Sequence, residues 1–139
     1  MNEIVVGIDS SPTARKAAVR AAELANQANV GLHIVTGVAS NKHASVKAGP
    51  EEWLFDSFDL AESALSSLTA SIGAKTKVTS AAVKGDPATA LCEEAKRLNA
   101  SMIVVGNKRV QGISRVLGSV ASDVVKSAPC DVVIVRTVD

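Results

Sequence analysis

The residues best suited to binding chemistry lie in one segment, 106–119, which reads GNKRVQGISRVLGS. Its glycines, Gly106, Gly112 and Gly118, allow tight turns and close backbone approach. Gly118 and Ser119 come directly before a helical pattern, so the free N–H groups and the positive dipole end of a helix are expected there. These N–H groups and the Ser119 hydroxyl suit a phosphate, and the segment therefore predicts an anion site.

The cations of this segment, Lys108, Arg109 and Arg115, could neutralise phosphate charge. The segment contains neither the P-loop pattern nor GxGxxG, which excludes the common mononucleotide and dinucleotide motifs. A simpler interpretation is that the glycines end a strand and the serine caps a helix, with no ligand involved. The local pattern leaves both interpretations open.

A second candidate, Asp9, follows the short apolar run 4–8. A carboxylate at a strand end can bind a ribose hydroxyl, an adenine amino group or a cation. The alternative role of this region is structural: Asp9 can cap the next helix, as can Ser10 or Ser11, and Pro12 suits that helix's first turn.

Alternating apolar runs and helical patterns predict the elements that position these residues. Strands are predicted at 4–8, 30–38, 75–83, 101–105 and 131–136, and helices at 14–28, 51–72, 88–98 and 120–126, with a loop at 39–50. Strict alternation predicts a single α/β domain, residues 1–139, with a doubly wound five-stranded parallel sheet of order 3-2-1-4-5 and helices on both faces. In that order the ligand crevice lies between strands one and four, where Asp9 and Gly106 converge.

Composition excludes several classes of partner. The net charge is +1, and the chain has one Trp, two Phe and no Tyr, so neither nucleic acid nor a membrane surface is expected. Cys92 and Cys130 lack metal-ligand spacing, and we expect buried free thiols in a cytoplasmic protein. No Ser, Asp or Cys partner is evident for His33 or His43, so both are expected to be structural or solvated. The sequence predicts no catalytic residues and no metal site.

Five stretches of the chain, IVVGIDSS, VKGDPATAL, MIVVGN, GSVASDVV and SAPCDVVIV, together resemble the universal stress protein family. The resemblance covers nearly the whole chain. It implies a Rossmann-like fold of the adenine nucleotide alpha hydrolase type and a bound adenine nucleotide, ATP or AMP, with Mg possible alongside ATP. It also implies a homodimer paired through the last strand, Asp131–Arg136, whose apolar edge would otherwise be exposed.

The nucleotide pattern of the family is Gly, two residues, Gly, nine residues, then Gly-Ser or Gly-Thr. Gly106 and Gly118-Ser119 match it, but Arg109 takes the place of the second glycine and only eight residues follow before Gly118. Gly112 could supply the missing turn. By the resemblance, the nucleotide-binding residues are Asp9, Ser10, Gly37, Gly106, Asn107, Arg109, Gly112, Gly118, Ser119 and Val120.

The presence of Arg109 leaves the identity of the ligand undecided. Its side chain could fill the triphosphate space or pair with phosphates, and the shortened loop could favour AMP or cyclic AMP. The principal alternative is a nucleotide-free dimeric interaction or scaffold protein of the same family. A weak ATPase ranks last, because the sequence offers no convincing base or metal cluster.

Overall fold

In the computed structural model of the protein, the structure describes residues 2–8, 14–38, 47–48, 51–52, 57–107 and 118–137. Five strands form the main sheet: β1 (Ile4–Gly7), β2 (Leu32–Val38), β3 (Val78–Lys84), β4 (Met102–Asn107) and β5 (Asp131–Arg136). Four helices connect them: α1 (Ala14–Ala28), α2 (Ser57–Ser71), α3 (Pro87–Leu98) and α4 (Ser119–Ser127).

The sheet has the order β3-β2-β1-β4-β5, and every neighbouring pair is parallel. This confirms the predicted 3-2-1-4-5 topology. The strand order reverses between β1 and β4, which therefore define the crevice at the carboxyl ends of the strands. In the described part of the chain, no helix combines the length and apolar character needed to span a membrane.

The core lies on both faces of the sheet because successive strand residues point to opposite sides. Val6, Ile34 and Val104 pack with buried residues of α1 and α2. Val5, Val35, Ile103 and Val105 pack with α3 and α4. Near-continuous β-branched runs are typical of strands that are buried on both faces, and each fully buried side chain of this kind contributes about 1.5–3 kcal/mol. Helices on both faces are therefore confirmed.

Two helices end at an asparagine in the left-handed region, Asn29 with φ 56° and Asn99 with φ 52°. After α1, the Val30 N–H donates to the Ala25 carbonyl at 3.0 Å. After α3, the Ala100 N–H donates to the Ala95 carbonyl at 2.8 Å. This pattern satisfies the last helix carbonyls and turns the chain directly into the next strand.

The second helix differs from its prediction. It begins at Ser57 rather than at residue 51, because Glu51–Glu52 pairs antiparallel with Lys47–Ala48. Gly49 and Pro50 separate the paired residues, and this combination is typical of turns. Backbone pairing with 47–48 thus takes Glu51 and Glu52 out of the helical pattern. It also places a short strand inside the segment 39–50, where a loop without regular structure is predicted.

Candidate functional site

The crevice at the switch point is built from the ends of β1 and β4. Beyond β1, the Ile8 N–H donates to the Val35 carbonyl at 2.9 Å, so the strand geometry continues as far as the residue before Asp9. Four predicted site residues lie outside the described residues: Asp9, Ser10, Arg109 and Gly112. The described residues of the site come from the two ends of the 106–119 segment and from β2.

Asn107 joins the two ends of that segment. Its side-chain Oδ1 accepts a hydrogen bond from the Gly118 N–H at 3.0 Å, and the residue is only 7% exposed. A buried side-chain amide needs such partners, because an unpaired polar group away from water costs about 1–3 kcal/mol. The bond brings the start of α4 directly to the carboxyl end of β4.

The start of α4 has a glycine at its N-cap, whereas the start of α3 is capped by the side chain of Asp86. Asp86 caps α3 by accepting from the Thr89 N–H at 3.2 Å, and hydrogen bonds from Thr89 lower the pKa of this carboxyl group. Gly118, the N-cap of α4, has no side chain and makes no side-chain cap bond. The first-turn N–H groups of a helix have no acceptor within the helix, so those of α4 need an acceptor from outside it.

A side chain at position 106 would not fit between the neighbouring residues, which explains the glycine there. A Cβ atom there would lie 2.7 Å from Thr137 Cγ2 and 3.6 Å from the Ala17 Cβ. Thr137 follows β5 directly, is 2% exposed, and its Oγ1 has no hydrogen-bond partner in the part of the chain that the structure describes. The first glycine of the segment thus allows β4 and the end of β5 to approach closely at the crevice floor.

Gly37 lies near the carboxyl end of β2, beside the switch point, and is also constrained by packing. A Cβ atom at Gly37 would lie 2.8 Å from the Pro87 Cα and 3.1 Å from the Gly85 carbonyl oxygen. The Gly85 N–H donates to the Val38 carbonyl at 2.9 Å and holds the β3–α3 turn against β2. The structure therefore places Gly37 near the carboxyl ends of the strands, where the crevice lies.

Two further residues, Val120 and Arg136, lie near the crevice. Val120, in the first turn of α4, is partly exposed. Arg136 ends β5 and pairs in register with Asn107. The resemblance singled out Val120 but not Arg136, since only strand pairing brings residue 136 beside residue 107.

His33 has partners that its sequence neighbourhood does not reveal. Its Nε2 lies 2.9 Å from Glu94 Oε1 and its Nδ1 lies 2.6 Å from Thr79 Oγ1. Arg97 donates to the same carboxylate, with Nε at 3.0 Å from Oε2 and Nη2 at 2.8 Å from Oε1. His33 is 5% exposed and lies near the start of β2, at the opposite end of the strands from the crevice. The expectation of a structural histidine fits this placement.

The charge of the network is set by the Glu94 carboxylate. Hydrogen bonding from Arg97 is the main cause that lowers the pKa of Glu94, and burial opposes it. The bond to the same carboxylate raises the pKa of Arg97. Glu94 therefore remains ionised at neutral pH, and its carboxylate accepts all three hydrogen bonds.

The thiols are less buried than predicted. Cys92 and Cys130 are both free and partly exposed, since each lies at the margin of the core cluster beneath α3 and α4. Burial is the main cause that raises the pKa of both thiols. Among the residues described, no group of three or more His, Cys, Asp or Glu side chains could hold a metal ion.

Comparisons with known proteins agree with this architecture. The model of the universal stress protein family matches residues 1–136. A Staphylococcus aureus (strain USA300) protein assigned to that family is 30% identical over 144 residues, covering 96% of this chain and 83% of the relative.

Two solved structures extend the likeness to three dimensions. A universal stress protein in complex with cAMP is 30% identical, with a TM-score of 0.67, covering 99% of this chain and 98% of that one. UspA from Lactobacillus plantarum is 26% identical, with a TM-score of 0.74 and 97% of each chain covered. The family match, the relatives and the likeness to solved structures lead to one conclusion: the chain belongs to the universal stress protein family.

Proposed function

We propose that this protein binds an adenine nucleotide in the crevice between β1 and β4, with a phosphate at the start of α4. The observation that carries the proposal is the open helix start, with Gly118 as an N-cap without a side chain and Asn107 holding it against β4. Free N–H groups and the positive end of the helix dipole favour an anion there. The 30% identical structure in complex with cAMP supports an adenine nucleotide as the ligand.

The predicted site residues divide into two groups within this proposal. The first group lies in the part of the chain that the structure describes, on β2, at the end of β4 and at the start of α4: Gly37, Gly106, Asn107, Gly118, Val120 and the backbone of Ser119. Asp9 and Ser10 would contact the ribose or the base, while Arg109 and Gly112 would lie beside the phosphates. Asp9 comes two residues after the end of β1 in sequence, which suits a carboxylate that accepts from ribose hydroxyls.

AMP and cyclic AMP are the ligands we favour over ATP. Arg109 replaces a glycine and the segment is one residue shorter than the family pattern, which leaves less space for a triphosphate. If ATP is bound, Mg would be carried with its phosphates. We propose no catalytic residue, and the weak ATPase alternative rests on no described group.

Isothermal titration calorimetry with AMP, cyclic AMP and ATP tests the proposal. We expect dissociation constants below 1 mM for at least one of them, a threshold equivalent to about 4 kcal/mol of binding free energy. Protein purified without added ligand is denatured in parallel, and the supernatant is analysed for adenine nucleotides. Failure of all three ligands to bind, together with an empty supernatant, would refute nucleotide binding.

That outcome would favour the second candidate, a nucleotide-free dimeric scaffold. The specific observation in its favour is the same Arg109 substitution and the shortened segment. It predicts no thermal shift with any adenine nucleotide. An ordered nucleotide in a crystal structure would exclude it.

We also propose a homodimer that pairs through β5 and a cytoplasmic location. β5 lies at an edge of the sheet, and its apolar residues 132–135 are all partly exposed. An exposed apolar edge strand favours pairing with another chain, and a second copy of β5 would cover it. Light scattering tests the dimer: a monomeric mass at micromolar concentration would contradict it.

A further inference from the structure

Arg136 lies beside the candidate anion site although it is far from it in sequence. In the β4–β5 pair, Asn107 is the register partner of Arg136, and neighbouring strands are separated by about 4.8 Å. Asn107 in turn accepts the Gly118 N–H at 3.0 Å. Strand pairing and one hydrogen bond thus connect Arg136 to the start of α4.

The side chains of Asn107 and Arg136 also share a face of the sheet. On β5, Val132 and Ile134 pack toward the cluster beneath α3 and α4, whereas Val133 and Val135 pack on the opposite side. Because side chains alternate along a strand, Arg136 falls on the α4 side. Asn107 is on the same face by the alternation of β4, and its bond to Gly118 agrees with that.

We propose that Arg136 is a binding residue of this site that selects phosphorylated adenine nucleotides over nucleosides. The inference rests on the proposed function and adds a residue outside the glycine-rich segment. Asn107 is neutral and buried, and it positions the start of α4. Arg136 is exposed and charged, and it supplies the countercharge that a phosphate dianion requires.

The chemistry of the two contributions is complementary. Helix N–H groups donate in fixed directions but carry only a partial charge. A guanidinium group carries a full charge at any physiological pH and can donate two parallel hydrogen bonds to a phosphate. The first turn of α4 contains no acidic residue that would repel a phosphate.

The test is calorimetry of wild type and R136Q with two probes, AMP and adenosine. We expect R136Q to bind AMP about tenfold more weakly, the lower range for a hydrogen bond to a charged group, because the residue is exposed. Adenosine binding should change less than about twofold, since adenosine lacks the phosphate that the guanidinium would contact. K126Q is the matched control: it removes one exposed cation near the far end of α4, about 10 Å along the helix axis, and should leave AMP affinity unchanged.

Three results would overturn the inference. R136Q could bind AMP as tightly as wild type does, it could weaken AMP and adenosine equally, or K126Q could match the loss seen in R136Q. Light scattering of R136Q checks that its oligomeric state equals that of wild type, because residue 136 belongs to the edge strand. If wild type itself binds neither probe, the proposed function fails, which is a result distinct from any of these three.

Discussion

Replacing Glu94 with glutamine tests how the protein keeps an ionised group beneath α3. Glu94 is mostly buried and accepts hydrogen bonds from His33 on β2 and from Arg97 one helical turn further along. The E94Q substitution preserves the size of the side chain and one acceptor oxygen. It removes the charge, and with the amide oxygen in the place of Oε1 it turns the amide NH₂ group toward Arg97 Nε, which can only donate.

The expected cost follows from the exposure of each partner. Breaking a fully buried ion pair by removing one member costs about 3–5 kcal/mol. The Arg97 side chain is 60% exposed, so water screens that interaction and it is left out of the sum. The buried bond from His33 contributes about 1.5–3 kcal/mol to a charged acceptor and about 0.5–1.5 kcal/mol to a neutral one, such as the amide oxygen of glutamine. We therefore expect E94Q to lower the free energy of unfolding by about 1 kcal/mol at pH 7.

The pH dependence gives an independent check on the sign. The pKa of Glu94 is lowered in the folded protein, so its stabilisation is fully present above the ordinary glutamate pKa, about 4.3. It is lost as the pH falls through the lower folded value. The difference between wild type and E94Q should therefore be largest near neutrality and shrink in acid.

The assay is urea denaturation followed by far-ultraviolet circular dichroism between pH 3 and pH 8. E93Q is the matched control, because Glu93 is the adjacent residue, carries the same charge and is exposed. Surface substitutions of this kind stay within about 0.5 kcal/mol. If E94Q and E93Q agree within that margin at pH 7, or if their difference grows in acid, the reasoning is refuted.

Two other features of the structure give predictions. G37A should lower the free energy of unfolding by about 1–3 kcal/mol, since the new Cβ atom would lie 2.8 Å from the Pro87 Cα. The control is G73A, whose Cβ atom would meet no described residue within 4 Å apart from its chain neighbours, and it should be neutral or stabilising. Equal urea midpoints for the two variants would contradict this prediction. Cys92 and Cys130 have a raised thiol pKa, so at pH 8 they should react with Ellman's reagent more slowly than a cysteine peptide does; equal rates would show that burial does not protect them.

Most of the fold could be predicted from the sequence because its signals are local. The strand beginning at Ile4 and the helix beginning at Ala14 are specified by apolar runs and by helical spacing within a few residues. Alternation of such elements then restricts the sheet to very few topologies. The second helix is the exception: pairing of Glu51–Glu52 with Lys47–Ala48 competes with helix formation, and periodicity alone does not detect that competition.

The site could be predicted in part. Gly106, Gly118 and Ser119 are visible in sequence because turn and cap chemistry acts on neighbouring residues. The partners of His33 are not visible, since Glu94 is 61 residues away and meets it only when α3 packs on β2. A histidine and a glutamate that are so far apart in the chain form no sequence motif from which their contact could be predicted.

The sequence by itself determined the alternation of elements, the family resemblance and the glycine-rich segment that could hold an anion. Only the tertiary structure decided which residues lie next to the start of α4. Asn107 meets Gly118 because the start of α4 lies against the end of β4. Arg136 stands beside Asn107 because β5 pairs with β4 in one register. Local propensity acts over a few residues, whereas the charge and space around a bound phosphate depend on strands that are distant in the chain.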